Sequence, residues 1–169
     1  MFQNLFRATA LAVLASLVTF TQALPQPTTL QRRAPLDPSD HFYSAHITVL
    51  DQNYFSSEVE NSDVPVVITF YAHWCGNSKR FAPTWQAVAA KYADPANQGN
   101  SESSLSQVNF YQYDCALNDD HRDFCAEKDT GGYPTPFMYK RGVGRVEIEE
   151  YESEDGLTKS IENFVAAHR

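Results

Sequence analysis

Val66-Val67-Ile68-Thr69-Phe70-Tyr71-Ala72-His73-Trp74-Cys75-Gly76-Asn77-Ser78-Lys79 is the stretch on which the fold turns. Its first six residues, opened by Pro65, form a continuous β-branched and aromatic run, as expected of a central strand covered on both faces. Directly afterwards Phe81, Trp85, Val88, Ala89 and Tyr92 recur at helical spacing, so the strand hands the chain to a helix from Gly76 to Tyr92. Pro83 lies inside that pattern and is expected to kink it, because it removes one backbone hydrogen bond. Between strand and helix stands Cys75, a thiol aimed at a helix start. Unpaired backbone N–H groups and the positive end of the helix dipole favour its thiolate, which makes Cys75 the candidate nucleophile. A dithiol site would carry a second cysteine three residues on, on the same helix face, to attack and release a mixed disulfide. That position is Ser78.

Working outward, Ile47 to Leu50 reads as a short strand, and Asp51 as the cap of a helix through Tyr54, Phe55 and Val59. Ala93 to Gln107 is a long polar loop without chemistry-bearing residues. A strand from Val108 to Tyr113 leads to Asp114-Cys115, and Asn118 to Lys128 reads as helical. Gly131-Gly132-Tyr133-Pro134-Thr135-Pro136 interrupts the chain before a strand from Phe137 to Lys140. Gly142 and Gly144 turn it into a last strand, Arg145 to Tyr151, where Val146 and Ile148 alternate with Glu147 and Glu149. Charges on that open face discourage edge pairing. A closing helix from about Asp155 puts Leu157, Ile161, Phe164 and Val165 on one face. The order β-α-β-α-β-α-β-β-α implies an α/β fold, a central mixed sheet with helices on both faces.

The 169 residues, 43% hydrophobic and 13% aromatic, suffice for one packed domain. Residues 1–23 read as a signal peptide: Arg7, an apolar run from Ala8 to Phe20, then small residues Thr21 and Ala23 before cleavage. The apolar run is too short to span a bilayer. Residues 24–33 read as a pro-segment ending at Arg32-Arg33, with a plain flexible linker as the alternative, and residues 34–39 as a linker to the domain at 40–169. The net charge is −8 at pH 7, and loss of residues 1–33, which hold arginines and no acid, leaves the remainder more acidic still. Neither nucleic acid nor an anionic membrane surface is an expected partner. Ala166-Ala167-His168-Arg169 is not an endoplasmic-reticulum retention tetrapeptide, so passage through that compartment to secretion is expected. The histidines, His41, His46, His73, His121 and His168, show no metal-ligand spacing, and neither a metal nor a cofactor is expected.

Phe70-Tyr71-Ala72, Trp74-Cys75-Gly76, Ala82-Pro83 and Gly132-Tyr133-Pro134-Thr135 together resemble the thioredoxin domain of the protein disulfide isomerases, from about His41 onward. Phe81-Ala82-Pro83-Thr84-Trp85, Asp114-Cys115-Ala116 and Phe124-Cys125 are similar to the N-terminal thioredoxin domain of the quiescin sulfhydryl oxidases. The resemblance implies a thioredoxin-like fold, a cis bond before Pro134 facing Cys75, and a client surface made by Trp74, Gly76, Asn77, Tyr133 and Pro134. Three positions at the sites that do the chemistry depart from the resembled pattern. Ser78 replaces the second cysteine. Asn77 replaces a histidine that favours the thiolate, and Thr69 replaces a buried glutamate that serves proton transfer to the second cysteine. Pro136 stands where an aliphatic residue is usual.

Three cysteines allow one pair. Cys115 and Cys125, at a strand end and on the next helix, match a pair in the resembled domains and are expected to form a disulfide; two free thiols are the alternative. Cys75 is then the odd thiol, either reactive or packed inertly under Trp74. Lys79-Arg80 and Lys140-Arg141 either converge to favour its thiolate or are solvated surface charge. The resemblance implies a secreted, monomeric, monothiol protein of the disulfide isomerase type, exchanging with thiols and disulfides of client proteins, or with glutathione, through Cys75. Enzyme activity would be weak, because Ser78 cannot complete a dithiol cycle. The alternative is a redox-inactive binding or chaperone-like module holding a partner at Trp74, Tyr133 and Pro134.

Overall fold

The computed structural model describes residues 40–94 and 107–168, together with Asp37. The leader and pro-segment expected over residues 1–33 lie outside the described residues, as does most of the polar loop. Five strands form one sheet in the order β1-β3-β2-β4-β5: β1 (Thr48–Val49), β2 (Val66–Tyr71), β3 (Asn109–Asp114), β4 (Thr135–Lys140) and β5 (Gly144–Glu147). The β1–β3 and β2–β3 pairs are parallel, and the β2–β4 and β4–β5 pairs antiparallel. All six residues of β2 are buried, as its unbroken apolar run requires of the middle strand.

Side chains alternate across the sheet and split the core in two. On one face Val67, Phe110 and Met138 pack against α1 (Gly76–Ala93) and α3 (Glu154–Ala167), through Phe81, Trp85, Val88, Leu157 and Ile161. On the other, Val66, Ile68, Phe70 and Phe137 pack against Phe55, Val59 and the disulfide-bonded Cys125 of α2 (Asp119–Glu127). In α1 the buried positions are Ser78, Phe81, Ala82, Trp85, Val88, Ala89 and Tyr92, a stripe at three- and four-residue spacing. Pro83 falls on the exposed side, and the helical run continues through it.

Two elements differ from their expected form. The helix capped by Asp51 is instead a 3-10 turn, Gln52–Tyr54, followed by a π-helical turn, Ser56–Glu60. Asp51 does cap it, accepting from the Asn53 N–H at 2.9 Å. The wider turn is held by Asn61, whose backbone N–H and side-chain amide both donate to the Ser56 carbonyl at 2.9 Å. The last strand ends at Glu147, not Tyr151. Its ladder stops at the pair Phe137 and Glu147, because the next residue of β4 is Pro136, which has no N–H to donate. The Pro136 carbonyl still accepts from the Ile148 N–H at 3.4 Å.

Candidate functional site

Parallel pairing of β2 with β3 places Tyr71 beside Asp114, and antiparallel pairing with β4 places Phe70 beside Thr135. Three chain segments therefore meet at one end of the sheet: Ala72 to Ser78, Asp114 to Ala116, and Tyr133-Pro134. A turn closed by the Cys75 N–H on the Ala72 carbonyl, at 2.9 Å, lifts Cys75 to the N-cap of α1. Gly76 and Asn77 follow as exposed residues of the first helical turn. The Tyr133–Pro134 bond is cis.

The Cys75 side chain is half-buried and free. As a thiol, its S–H donates to the Tyr133 carbonyl at 3.4 Å, and it makes no capping bond to the helix. That carbonyl stabilises the neutral form, yet the net shift is the other way. The Ser78 backbone N–H, acting on the ionised sulfur, pulls the thiol below its ordinary value; partial burial opposes this, and the Asn77 N–H, the Ser78 hydroxyl and the Arg80 charge add to it. The thiol and thiolate thus use different partners. Arg80 also donates to Asn77 Oδ1, so its guanidinium lies across the helix start. Lys140 and Arg141 do not join it. They lie at and just past the far end of β4, where Lys140 meets the His168 carbonyl and Arg141 meets Asp63, Lys140 being about 17 Å along the strand from Thr135.

Ser78 faces inward at 1% exposure, and its Oγ accepts from the Ala72 N–H at 3.4 Å. Beneath it lies an internal cavity of about 10 Å³, lined by Thr69, Trp85 and Gln112 among others. Thr69 Oγ1 and Trp85 Nε1 have no hydrogen-bond partner among the described residues. Thr69, the position at which the resemblance implied a departure from a buried glutamate, presents only this hydroxyl to the cavity.

Trp74 does not pack over the thiol. It is 64% exposed, with its ring edge-to-face to Tyr133 at 6.5 Å between centroids. Phe42 is buried nearby: its ring stacks on Tyr71 at 4.2 Å, and its carbonyl accepts from the Gln112 side chain at 2.9 Å. His73 Nδ1 is hydrogen-bonded to Asp114 Oδ2 at 2.9 Å, while Asp114 Oδ1 accepts from the Ala116 N–H at 3.0 Å. No motif signalled this pair; only the register of β2 against β3 brings the two together.

Cys115 and Cys125 are joined by a disulfide. The Cys115 N–H donates to the Tyr71 carbonyl at 2.7 Å, and the Cys125 carbonyl accepts from the Thr130 N–H at 3.4 Å. Thr135 Oγ1 in turn donates to the Thr130 carbonyl at 2.6 Å. The disulfide thus ties the end of β2 to the loop carrying Tyr133 and Pro134. Beside that loop, Asn77, Arg80, Phe81, Tyr133, Pro134, Tyr151 and Glu152 line a surface cavity of about 350 Å³. Tyr151 and Glu152 were not singled out from sequence, since nothing local links them to residues 75–80.

Comparison with known proteins agrees with this architecture. Residues 46–163 match the thioredoxin family model. Among curated proteins, the thioredoxin domain-containing protein 5 homolog of Drosophila melanogaster is 31% identical over 98 residues, covering 58% of this chain and 21% of that protein. Protein disulfide-isomerase 1 of Dictyostelium discoideum is 28% identical over 118 residues, covering 70% of this chain and 30% of that protein. The chain thus spans less than a third of either relative. Among solved structures, human ERp44 superposes with a TM-score of 0.56 at 25% identity, over 71% of this chain and 29% of that one.

Proposed function

This chain belongs to the thioredoxin family, and from that premise we propose that it is a monothiol protein of the disulfide isomerase type, exchanging with client thiols and disulfides through Cys75. One observation carries the reading: Cys75 stands half-exposed at the start of α1 with its thiolate favoured, while Ser78 is turned inward where a resolving thiol would be. The Cys75 thiolate attacks one sulfur of a client disulfide, a Cys75–client bond forms, and the other client sulfur leaves as thiolate. A client thiolate then attacks the mixed disulfide and expels the Cys75 thiolate. The client disulfide has moved and no electrons have been gained or lost, which is isomerisation.

The Tyr133 backbone and the exposed Trp74 ring supply the surface for an extended client segment. The Cys115–Cys125 disulfide and the leader-like residues 1–23 support an oxidising, secretory compartment, without glutathione-rich cytosol to reduce the bond. Within the family, the residues likened to the N-terminal thioredoxin domain of quiescin sulfhydryl oxidases include both cysteines of the disulfide and Asp114. The isomerase-like names of the relatives support the same chemistry.

A second reading is a binding module that grips a partner without turnover, favoured by Trp74 at 64% exposure beside Tyr133. Refolding of scrambled ribonuclease separates the two. Exchange predicts a rate above background that Cys75→Ala abolishes; equal background rates for both proteins leave binding alone.

A further inference from the structure

β5 is an open edge of the sheet, and the register of its hairpin says which backbone groups are free. Along an antiparallel strand, residues bonded to the neighbour alternate with residues that are not. The Ile148 N–H bonds to the Pro136 carbonyl, so Ile148, Val146 and Gly144 turn their main chain toward β4, opposite Pro136, Met138 and Lys140. The N–H and C=O groups of Arg145 and Glu147 therefore point away from the sheet, and neither main chain has another partner among the described residues. The opposite edge strand, β1, is only two residues long.

A groove of about 500 Å³ lies between this edge and α3. Its floor is apolar, from Val146, Ile148 and Phe164, and the carboxylates of Glu147, Glu149 and Glu150 border it against the lone ammonium of Lys159. All three carboxylates belong to exposed residues, and none is in an ion pair among the described residues. A strand added beside β5 lies in this groove with α3 along one of its faces, and its side chains alternate between the two faces. Those toward α3 meet the apolar floor. Those on the other face meet Glu147, where opposite charges directly across a strand pair attract. Arg145 shares that face, but its guanidinium lies over the Phe137 ring, 4.6 Å from the centroid, and donates to the Lys128 carbonyl. A second copy of this chain is the poorer occupant, because it brings the same carboxylates into the groove.

We propose that the β5 edge and its groove dock an extended segment of a partner protein in which apolar residues alternate with lysine or arginine, added antiparallel to β5. Main-chain bonds to Arg145 and Glu147 hold the segment, and Glu147, Glu149 and Glu150 select its basic residues. Charges that discourage edge pairing between like chains thereby choose an unlike one. Cys75 takes no part, so the inference stands apart from the exchange reading. Glu150 nonetheless leads directly to Tyr151 and Glu152, which line the cavity beside Tyr133 and Pro134, so a docked partner sits beside the client surface.

The probe is a short, cysteine-free peptide of alternating valine and lysine, fluorescein-labelled and titrated into the purified protein by anisotropy, with amide hydrogen exchange of the complex read by NMR. Binding should slow exchange of the Arg145 and Glu147 amides and leave β1 unchanged. Glu147→Gln and Glu149→Gln should each weaken binding about two- to fivefold, the weight of an exposed charge contact, and a peptide with glutamate for lysine should not bind. In the antiparallel pairing the residue opposite Glu147 exchanges both backbone bonds with it. The peptide N-methylated at its lysines should therefore lose about tenfold or more, while N-methylation at its valines, whose N–H groups face solvent, costs little. No binding of the lysine peptide, equal affinity for both N-methylated forms, or unchanged exchange at Arg145 and Glu147 under saturation would overturn the docking edge. Equal affinity for the glutamate peptide would overturn the choice of a basic partner. Protection of the same two amides in the protein alone, rising with its concentration, would assign the edge to a second copy and overturn the proposal. The peptide carries no sulfur, so none of these results bears on exchange at Cys75.

Discussion

Replacing Ser78 with cysteine should convert the site from one that depends on an outside thiol to resolve the mixed disulfide into one that resolves it itself. Residues three apart on a helix have Cα atoms about 5 Å apart, within the range of about 4.4–6.8 Å that a disulfide needs. Ser78 already points inward at the base of Cys75, and the small cavity beneath it offers room for the larger sulfur. Closing a loop of four residues stabilises the oxidised variant by about 2 kcal/mol in the chain-entropy model. Release should nonetheless be slow at neutral pH. The only side chain where a proton acceptor for position 78 would stand is the Thr69 hydroxyl, and burial disfavours a thiolate, so the new thiol stays at or above about 8.5 and is about 3% ionised or less at pH 7. The rate at which Ser78→Cys discharges a peptide linked to Cys75 should therefore rise about tenfold per pH unit from 7 to 8. Acid quench, alkylation and intact mass follow both the linked peptide and the loss of about 2 Da when Cys75 bonds to the introduced thiol. If the linked species lives as long in the variant as in the wild type at pH 8, residue 78 does not face Cys75 and the account of the site is wrong.

Alkylation of Cys75 followed against pH should show a midpoint below that of free cysteine, because Ser78 N–H and its neighbours favour the thiolate. Ser78→Ala and Arg80→Gln should each move it upward in part, as the backbone N–H remains; a wild-type midpoint at or above that of free cysteine would contradict the geometry. The linked stability effect has a definite sign: the folded thiol ionises first, so the unfolded chain holds the extra proton and stability rises with pH between the folded and unfolded values. The wild type should gain on Cys75→Ser in that window, measured by urea midpoints, and a gain on lowering pH would refute it. Cys115→Ala with Cys125→Ala should cost about 3 kcal/mol, the value for a closed loop of this length; loss of less than about 1 kcal/mol by chemical denaturation would show that the bond constrains little. Thr69→Val removes a buried hydroxyl without a partner in the described residues and should stabilise by about 1 kcal/mol. A lower urea midpoint would show that the hydroxyl is satisfied.

Among the described residues, periodicity, with β-branched composition, located β2, α1 and α3, because β2 is apolar throughout and the two helices bury residues at three- and four-residue spacing. It misread the turn after Asp51, where an Asn61 contact five residues back sets a π-helical turn that no period reports. It also ran β5 too far, although Pro136 was visible, since the partner of Pro136 is known only once β4 and β5 are in register.

The site divides the same way. The candidate nucleophile Cys75 and the serine three residues on were legible in the chain, because a residue's own chemistry and its place at a helix start are local properties, while the Tyr133-Pro134 turn was expected only from the resemblance. The exposure of Trp74, the His73–Asp114 pair and the cavity between Arg80 and Glu152 belonged to tertiary structure alone. The members of that pair and of that cavity lie far apart in sequence, on segments whose meeting depends on sheet register and on the packing of α1 beside α3.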